Sequence, residues 1–249
     1  MRVCIVVPMY NEEAVARESI ETILQYARTL PPVATLVVVN DGSKDNTASI
    51  IQKAMNEFGA KDFILITHPV NQGYGAALRT GIRYAIESKF DYVLFMDSDL
   101  TNHPKYLADF YNKMLEGWDY IKTTRYGKGG GAAGVPWKHR LISTVGNAMA
   151  KRLYGLPLTD ITNGFRAVKV KLFKDMDLKE NDFAIIVEEL YRAKRLTHSF
   201  TEIPYILTSR KEGQGTTRFS YTPKTCLRYL RYAVMAWMQS KKPLKGVYT

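Results

Sequence analysis

Asp91-Tyr-Val-Leu-Phe-Met-Asp97-Ser-Asp99 is a run of apolar, β-prone residues that ends abruptly in two carboxylates one residue apart. The apolar part, Tyr92 to Met96, reads as a buried strand of a parallel sheet, and ligands of such sheets bind beyond the carboxyl ends of the strands. Two carboxylates held that close repel one another unless a cation lies between them. Hard oxygen donors at this density suit Mg²⁺ or Mn²⁺, either of which can carry a diphosphate.

Outward from this stretch the first half of the chain alternates apolar runs with amphipathic ones. Val3 to Val7, Thr35 to Val39 and Phe63 to Ile66 read as further strands. Helical patterns cover Glu12–Arg28, Asn46–Phe58, Gly75–Ser88 and Pro104–Glu116, and Trp118 to Thr123 adds a strand. This alternation predicts βαβ units in a doubly wound, mainly parallel α/β sheet. The later segments change character. Gly127 to Gly134 is five glycines in eight residues and reads as a mobile loop. Trp137 to Tyr154 follows as a helix, with Leu141, Val145, Ala148 and Leu153 near helical spacing. Phe183 to Leu196 reads as helix and Phe200 to Leu207 as strand. Pro223 to Gln239 is a last helix with Leu227, Leu230, Val234 and Trp237 along one face. Such a basic, Trp-bearing helix either lies in a membrane interface or closes the domain.

Composition narrows the classes. The 249 residues suffice for one large domain without disulfides or zinc. Cys4 and Cys226 have no C-x-x-C spacing, and a reducing cytoplasm fits them. Neither a signal peptide nor a membrane-spanning run of about 18 apolar residues is expected. The net charge of +11 is concentrated late: Tyr205 to Thr249 holds nine Lys or Arg against one acid, Glu212. That excess favours nucleic acid, an anionic membrane or a phosphorylated substrate. Nucleic acid is the poorer fit, because the acids gather at strand ends where a phosphate backbone would be repelled. Asn71-Gln-Gly-Tyr-Gly75 is not G-x-G-x-x-G, so a dinucleotide reading is poor, and G-x-x-x-x-G-K-[ST] is absent, which removes the P-loop reading.

The motifs then assemble in order: Val6-Val-Pro-Met-Tyr-Asn-Glu-Glu13, Asn40-Asp-Gly-Ser43, Asn71-Gln-Gly-Tyr-Gly75, Asp97-Ser-Asp99, Thr123-Thr-Arg-Tyr126, Asp160-Ile-Thr-Asn-Gly-Phe-Arg166 and Glu202-Ile-Pro-Tyr205 with Arg210. Together they resemble the family 2 glycosyltransferases of GT-A fold, and among these the polyprenyl-phosphate mannose synthases. The resemblance implies a single GT-A domain over residues 1–222. Within it, 1–124 would bind the nucleotide sugar and 125–222 the acceptor, and a basic C-terminal helix and tail would fill 223–249. It implies an inverting, metal-dependent transfer of a hexose, mannose from GDP-mannose foremost, to a polyprenyl phosphate. A UDP-sugar donor, or a sugar hydroxyl as acceptor, is the alternative.

By the same resemblance, Pro8, Tyr10, Glu12, Val39 and Asp41 hold the nucleoside and Ser98 approaches the ribose. Asp97, Asp99 and Thr101 take Mg²⁺ or Mn²⁺. Arg125 meets the acceptor phosphate together with Arg140 or Arg166, and Arg210 and Arg218 close over the donor diphosphate. Arginine suits these places because its fork binds phosphate oxygens in pairs. The chain departs from the family pattern at Asn40, which stands where an acid is usual, and at Thr101, which stands where a glutamine is usual. His-Pro is displaced by one residue at His103-Pro104, and Thr217-Arg218 comes two residues late. A lipid monophosphate is nucleophilic at neutral pH without a base, so Glu188 and Glu189 are expected to position rather than catalyse. None of the four histidines is expected to be catalytic, and His103 is expected to cap or pack. Peripheral attachment to the cytoplasmic face of a membrane, through the last helix and the Gly127–Gly134 region, completes the expectation.

Overall fold

The computed structural model describes residues 1–59, 61–133, 137–208 and 222–240, with the backbone alone for 138, 139 and 240. In chain order the elements are β1 (Val3–Met9), α1 (Ala16–Ala27), β2 (Thr35–Asn40), α2 (Thr47–Phe58), β3 (Phe63–Thr67), α3 (Tyr74–Glu87) and β4 (Tyr92–Phe95). A 3₁₀ turn at Pro104–Tyr106 leads into α4 (Leu107–Leu115) and β5 (Tyr120–Thr124). There follow β6 (Gly131–Ala132), α5 (Trp137–Tyr154), β7 (Arg166–Lys169), α6 (Val170–Phe173), α7 (Ile185–Ala193), β8 (Phe200–Pro204), β9 (Ile206–Leu207) and α8 (Pro223–Ser240).

Seven strands form one sheet in the order β3-β2-β1-β4-β7-β5-β8. All neighbours are parallel except β7, which runs against both β4 and β5. The central strands are apolar on both faces because both are covered. Ile5, Val7, Leu36, Val38 and Leu94 pack with α1, α2 and α4 on one side. Cys4, Val6, Val37, Val39 and Val93 pack with α3, α6, α7 and α8 on the other. Gly81 lets α3 lie directly on β1, since a Cβ there would collide with the side chain of Val6.

Several expectations need correction. The Gly-rich stretch is not simply a loose loop, because Gly131–Ala132 pairs in parallel with Ile206–Leu207 as a two-stranded ribbon. The strand expected over Phe200–Leu207 is split at Tyr205 between two sheets. The helix expected over Trp137–Tyr154 is present as α5, and Leu141 and Val145 on it are exposed with Trp137, Ile142 and Met149. In α8 the inward stripe is Tyr229, Tyr232, Ala233 and Ala236, while Leu227, Leu230, Val234, Trp237 and Met238 remain exposed. The two helices pack on one another, so their bare apolar residues lie on neighbouring elements. Among the described residues no helix is long and apolar enough to cross a membrane.

Candidate active site

The loops that leave β1, β2, β3 and β4 all open at the carboxyl edge of the sheet. Those after β1 and β2 are laced together: Asn11 N–H donates to Ser43 Oγ (3.0 Å), Lys44 N–H to Asn11 Oδ1 (2.8 Å) and Glu12 N–H to Thr47 Oγ1 (2.7 Å). Pro8, Tyr10 and Glu12 are half-buried on this lip and Val39 is fully buried beneath it. Asp41 is also buried. Its Oδ1 accepts from Gln72 N–H and its Oδ2 from Gly73 N–H, both at 2.9 Å. His68 Nδ1 lies 2.7 Å from Asp41 Oδ1, and His68 Nε2 lies 2.9 Å from Thr80 Oγ1. A carboxylate only accepts, so Nδ1 carries the proton. Asp41 therefore ties the loop of residues 71–73 to the sheet, with His68 behind it. The sequence reading gave His68 no role; its one signal was its position directly after β3.

Asp97 and Asp99 stand two residues and four residues beyond the last residue of β4, half-buried, with Ser98 buried between them. Tyr74 O–H donates to Asp97 Oδ1 (3.2 Å) and Asn102 Nδ2 to Asp97 Oδ2 (3.1 Å). Burial, then the Asp97 charge, push the Tyr74 hydroxyl well above its ordinary pKa, so it stays a donor. Thr101 donates to Asp99 Oδ1 through both its N–H (3.1 Å) and its hydroxyl (2.7 Å). Its hydroxyl proton is thus turned onto the carboxylate and orients it. His103 Nδ1 accepts from Lys105 N–H (3.0 Å), a cap on the 3₁₀ turn. Among the described residues no three His, Cys, Asp or Glu gather to hold a metal. Two aspartates with hard oxygens still fit Mg²⁺ or Mn²⁺, which take the rest of their shell from water and phosphate.

Arg125 follows β5. Its Nε and Nη2 grip Asp160 Oδ2 and Oδ1 at 2.7 and 2.9 Å, and Nη1 has no hydrogen-bond partner among the described residues. Burial alone would lower its pKa, yet the charge and hydrogen bonds of Asp160 hold it above the ordinary value. The loop that carries Asp160 is held from three directions. Thr124 and Thr159 hydroxyls meet at 2.6 Å, Glu202 on β8 accepts from Thr159 and Asp160 N–H, and Asn147 on α5 accepts from Ile161 and Thr162 N–H. Tyr126 O–H and Ser143 Oγ of α5 lie 2.7 Å apart, which brings α5 beside Arg125. Arg140 is exposed on α5 one turn before Ser143.

Arg166 is a correction. It is fully buried under the site, with Nε and Nη2 each 2.6 Å from Glu189 and its guanidinium over the Phe95 ring. It cannot touch an acceptor and acts through what it positions. Glu189 also accepts from Tyr120 O–H (2.8 Å). Glu188 accepts from Lys179 and Glu180 N–H and lies 3.3 Å from Arg192. Lys122 on β5 donates to Asn163 O and is wholly buried; that burial, then the Arg166 charge, push its pKa down to about 7. Arg210 and Arg218 fall outside the described residues.

Comparison with known proteins bears on family and fold. A polyprenol monophosphomannose synthase of Mycolicibacterium smegmatis is 26% identical over 216 residues, covering 85% of this chain and 79% of the relative. An undecaprenyl-phosphate mannosyltransferase of Micrococcus luteus is 26% identical over 250 residues, covering 99% and 100%. Among solved structures, glucosyl-3-phosphoglycerate synthase of Mycobacterium tuberculosis, crystallised with Mn²⁺, UDP-glucose and glycerol 3-phosphate, shares the fold. The TM-score is 0.64 at 20% identity, over 96% of this chain and 79% of that one. The glycosyl transferase family 2 profile matches residues 4–177, about two-thirds of the chain. That match, on a chain whose mixed seven-stranded GT-A sheet carries paired aspartates beyond β4, identifies the chain as a glycosyltransferase of family 2.

Proposed function

We propose that the enzyme transfers a hexose, mannose from GDP-mannose foremost, to a polyprenyl phosphate at a membrane surface, with inversion at the anomeric carbon. The observation that carries the lipid acceptor is the pair of apolar faces on α5 and α8, bare to solvent and reaching Arg125 through Tyr126 and Ser143. A lipid phosphate held there presents its charged head to Arg125 and its chain to those faces. The mannosyl reading is supported by both curated relatives.

In this reading residues 1–124 bind the donor, 125–222 the acceptor, and 223–249 attach the domain to the cytoplasmic face. Pro8, Tyr10 and Glu12 line the nucleoside with Val39 beneath them, Asp41 fixes the loop beside it, and Ser98 meets the ribose. Asp97 and Asp99 hold the cation and Arg125 grips the acceptor phosphate with its uncommitted Nη1. Arg140 lies on the acceptor's path, and the roles of Arg210 and Arg218 at the diphosphate rest on sequence alone. A bound divalent cation supplies Lewis-acid stabilisation of the departing diphosphate. An acceptor phosphate oxygen attacks the anomeric carbon as the bond to the nucleoside diphosphate breaks on the opposite face. With its second pKa near ~6 the phosphate needs no base. That suits a site whose Glu188 and Glu189 are engaged by Arg192 and Arg166.

A UDP-sugar donor is the second reading, favoured by the fold's likeness to an enzyme solved with UDP-glucose. Purified protein given polyprenyl phosphate, Mn²⁺ or Mg²⁺ and labelled GDP-mannose, UDP-glucose or UDP-N-acetylglucosamine tests both. The expected result is label in the lipid phase from GDP-mannose, lost with EDTA. Label from a UDP-sugar alone replaces the donor. Donor bound but label nowhere in lipid overturns the acceptor.

A further inference from the structure

We propose that Asn102 supplies the third protein oxygen to the divalent cation held by Asp97 and Asp99, an inference that rests on the metal dependence proposed above. Asn102 is 3% exposed, which is unusual for an amide unless it is fully bonded. Its Nδ2 donates to Asp97 Oδ2, and because a carboxylate only accepts, that contact fixes which end of the amide is nitrogen. The other end, Oδ1, is buried and accepts no hydrogen bond. A buried carbonyl oxygen without a donor is costly, and such a group in a native fold calls for an ion or a water. This one sits on a side chain that already touches the first metal-binding carboxylate.

The other side chain in the loop already serves Asp99. The Thr101 hydroxyl donates to Asp99 Oδ1, so it orients that ligand. Leu100 adopts the left-handed conformation (φ 56°), and the turn it makes brings residue 102 back against Asp97. Amide oxygens are ordinary ligands of Mg²⁺ and Mn²⁺. The neutrality of the amide matters as well. A divalent cation with two carboxylates has no net charge, whereas a third acid would leave a negative site that repels a donor diphosphate.

Mn²⁺ itself is the probe, added with a nucleoside diphosphate and followed by electron paramagnetic resonance and by water-proton relaxivity. Asn102→Ala is expected to weaken Mn²⁺ binding about tenfold or more. It should also raise the relaxivity of the bound ion, because a water enters the vacated position. Thr101→Val should leave relaxivity unchanged, and Asn102→Asp should bind Mn²⁺ at least as tightly as the parent while weakening the nucleoside diphosphate. The proposal is overturned if Asn102→Ala matches the parent in affinity and relaxivity, or if Asn102→Asp is as weak as Asn102→Ala despite parental circular dichroism. A parent that binds nucleoside diphosphate but no Mn²⁺ overturns the metal site itself, and Asn102 with it.

Discussion

Arg166 and Glu189 make the deepest charge pair among the described residues, both side chains fully buried. Removing one partner leaves an unpaired charge in the interior. Arg166→Met is expected to cost about 3–5 kcal/mol in urea unfolding, and the double replacement with Glu189→Met should recover most of it. At the surface of the same site the energetics reverse. Asp99→Ala should leave circular dichroism and thermal midpoint near the parent's while transfer falls at least a hundredfold; unchanged turnover would refute its role. Lys122 gives a pH signature. Its pKa is near 7 when folded and about 10.4 when unfolded, so the unfolded chain binds more protons between those values. Stability therefore rises with pH across that window, by at most about 1.4 kcal/mol per unit, and Lys122→Met should flatten that slope in denaturant titrations at pH 7 to 10. The aspartates at 97 and 99 were legible because the strand before them announces them. Asp160 and Glu202 were visible as the heads of two motifs, but their roles and that of His68 were not, because each acts on a partner 35, 43 or 27 residues away.

At the scale of elements, α5 joins an exposed apolar face to the loop that carries Asp160. The joint is Asn147, whose Oδ1 accepts two backbone N–H groups that would otherwise be unpaired. Asn147→Ala should cost roughly 1–3 kcal/mol of stability. It should also raise KM for the lipid phosphate more than KM for the donor, and Asn147→Asp, which keeps an acceptor, should restore much of both. The helical period of α8 was readable, but it carries two apolar stripes, and sequence alone cannot say which one meets the core. In α5 the readable stripe proved to be the outer one. The strand β7 escaped notice because it is four residues long and its alternation, Val168-Lys-Val-Lys-Leu172, runs on into α6; its neighbours β4 and β5 make it a strand.

For the whole molecule the charge is the governing quantity. A net +11 beside two bare apolar faces predicts association with anionic vesicles that has a screened and an unscreened part. Flotation with vesicles rich in anionic lipid should weaken as salt rises from about 0.05 to about 0.5 M. Val145→Gln with Trp237→Gln should abolish the salt-resistant remainder without shifting the thermal midpoint. Unchanged flotation of that variant would place the contact elsewhere. Of the seven-stranded sheet, β1 to β5 and β8 were legible, and the reversed strand β7 was not.

That reversal carries a consequence for how such an enzyme can diversify. A parallel strand offers the rim of the sheet only the loop that follows it, whereas the reversed strand β7 offers the loop that precedes it. Residues 159–165 thus reach the same rim as Asp97 while being anchored to β5, β8 and α5, and not to β1, β2 or β3. On the proposed function, the half of the rim that would read the nucleotide and the half that would meet the acceptor are fastened to different strands. New acceptors can then be tried by altering one half while the other keeps its shape, a division of labour written into the polarity of a single four-residue strand.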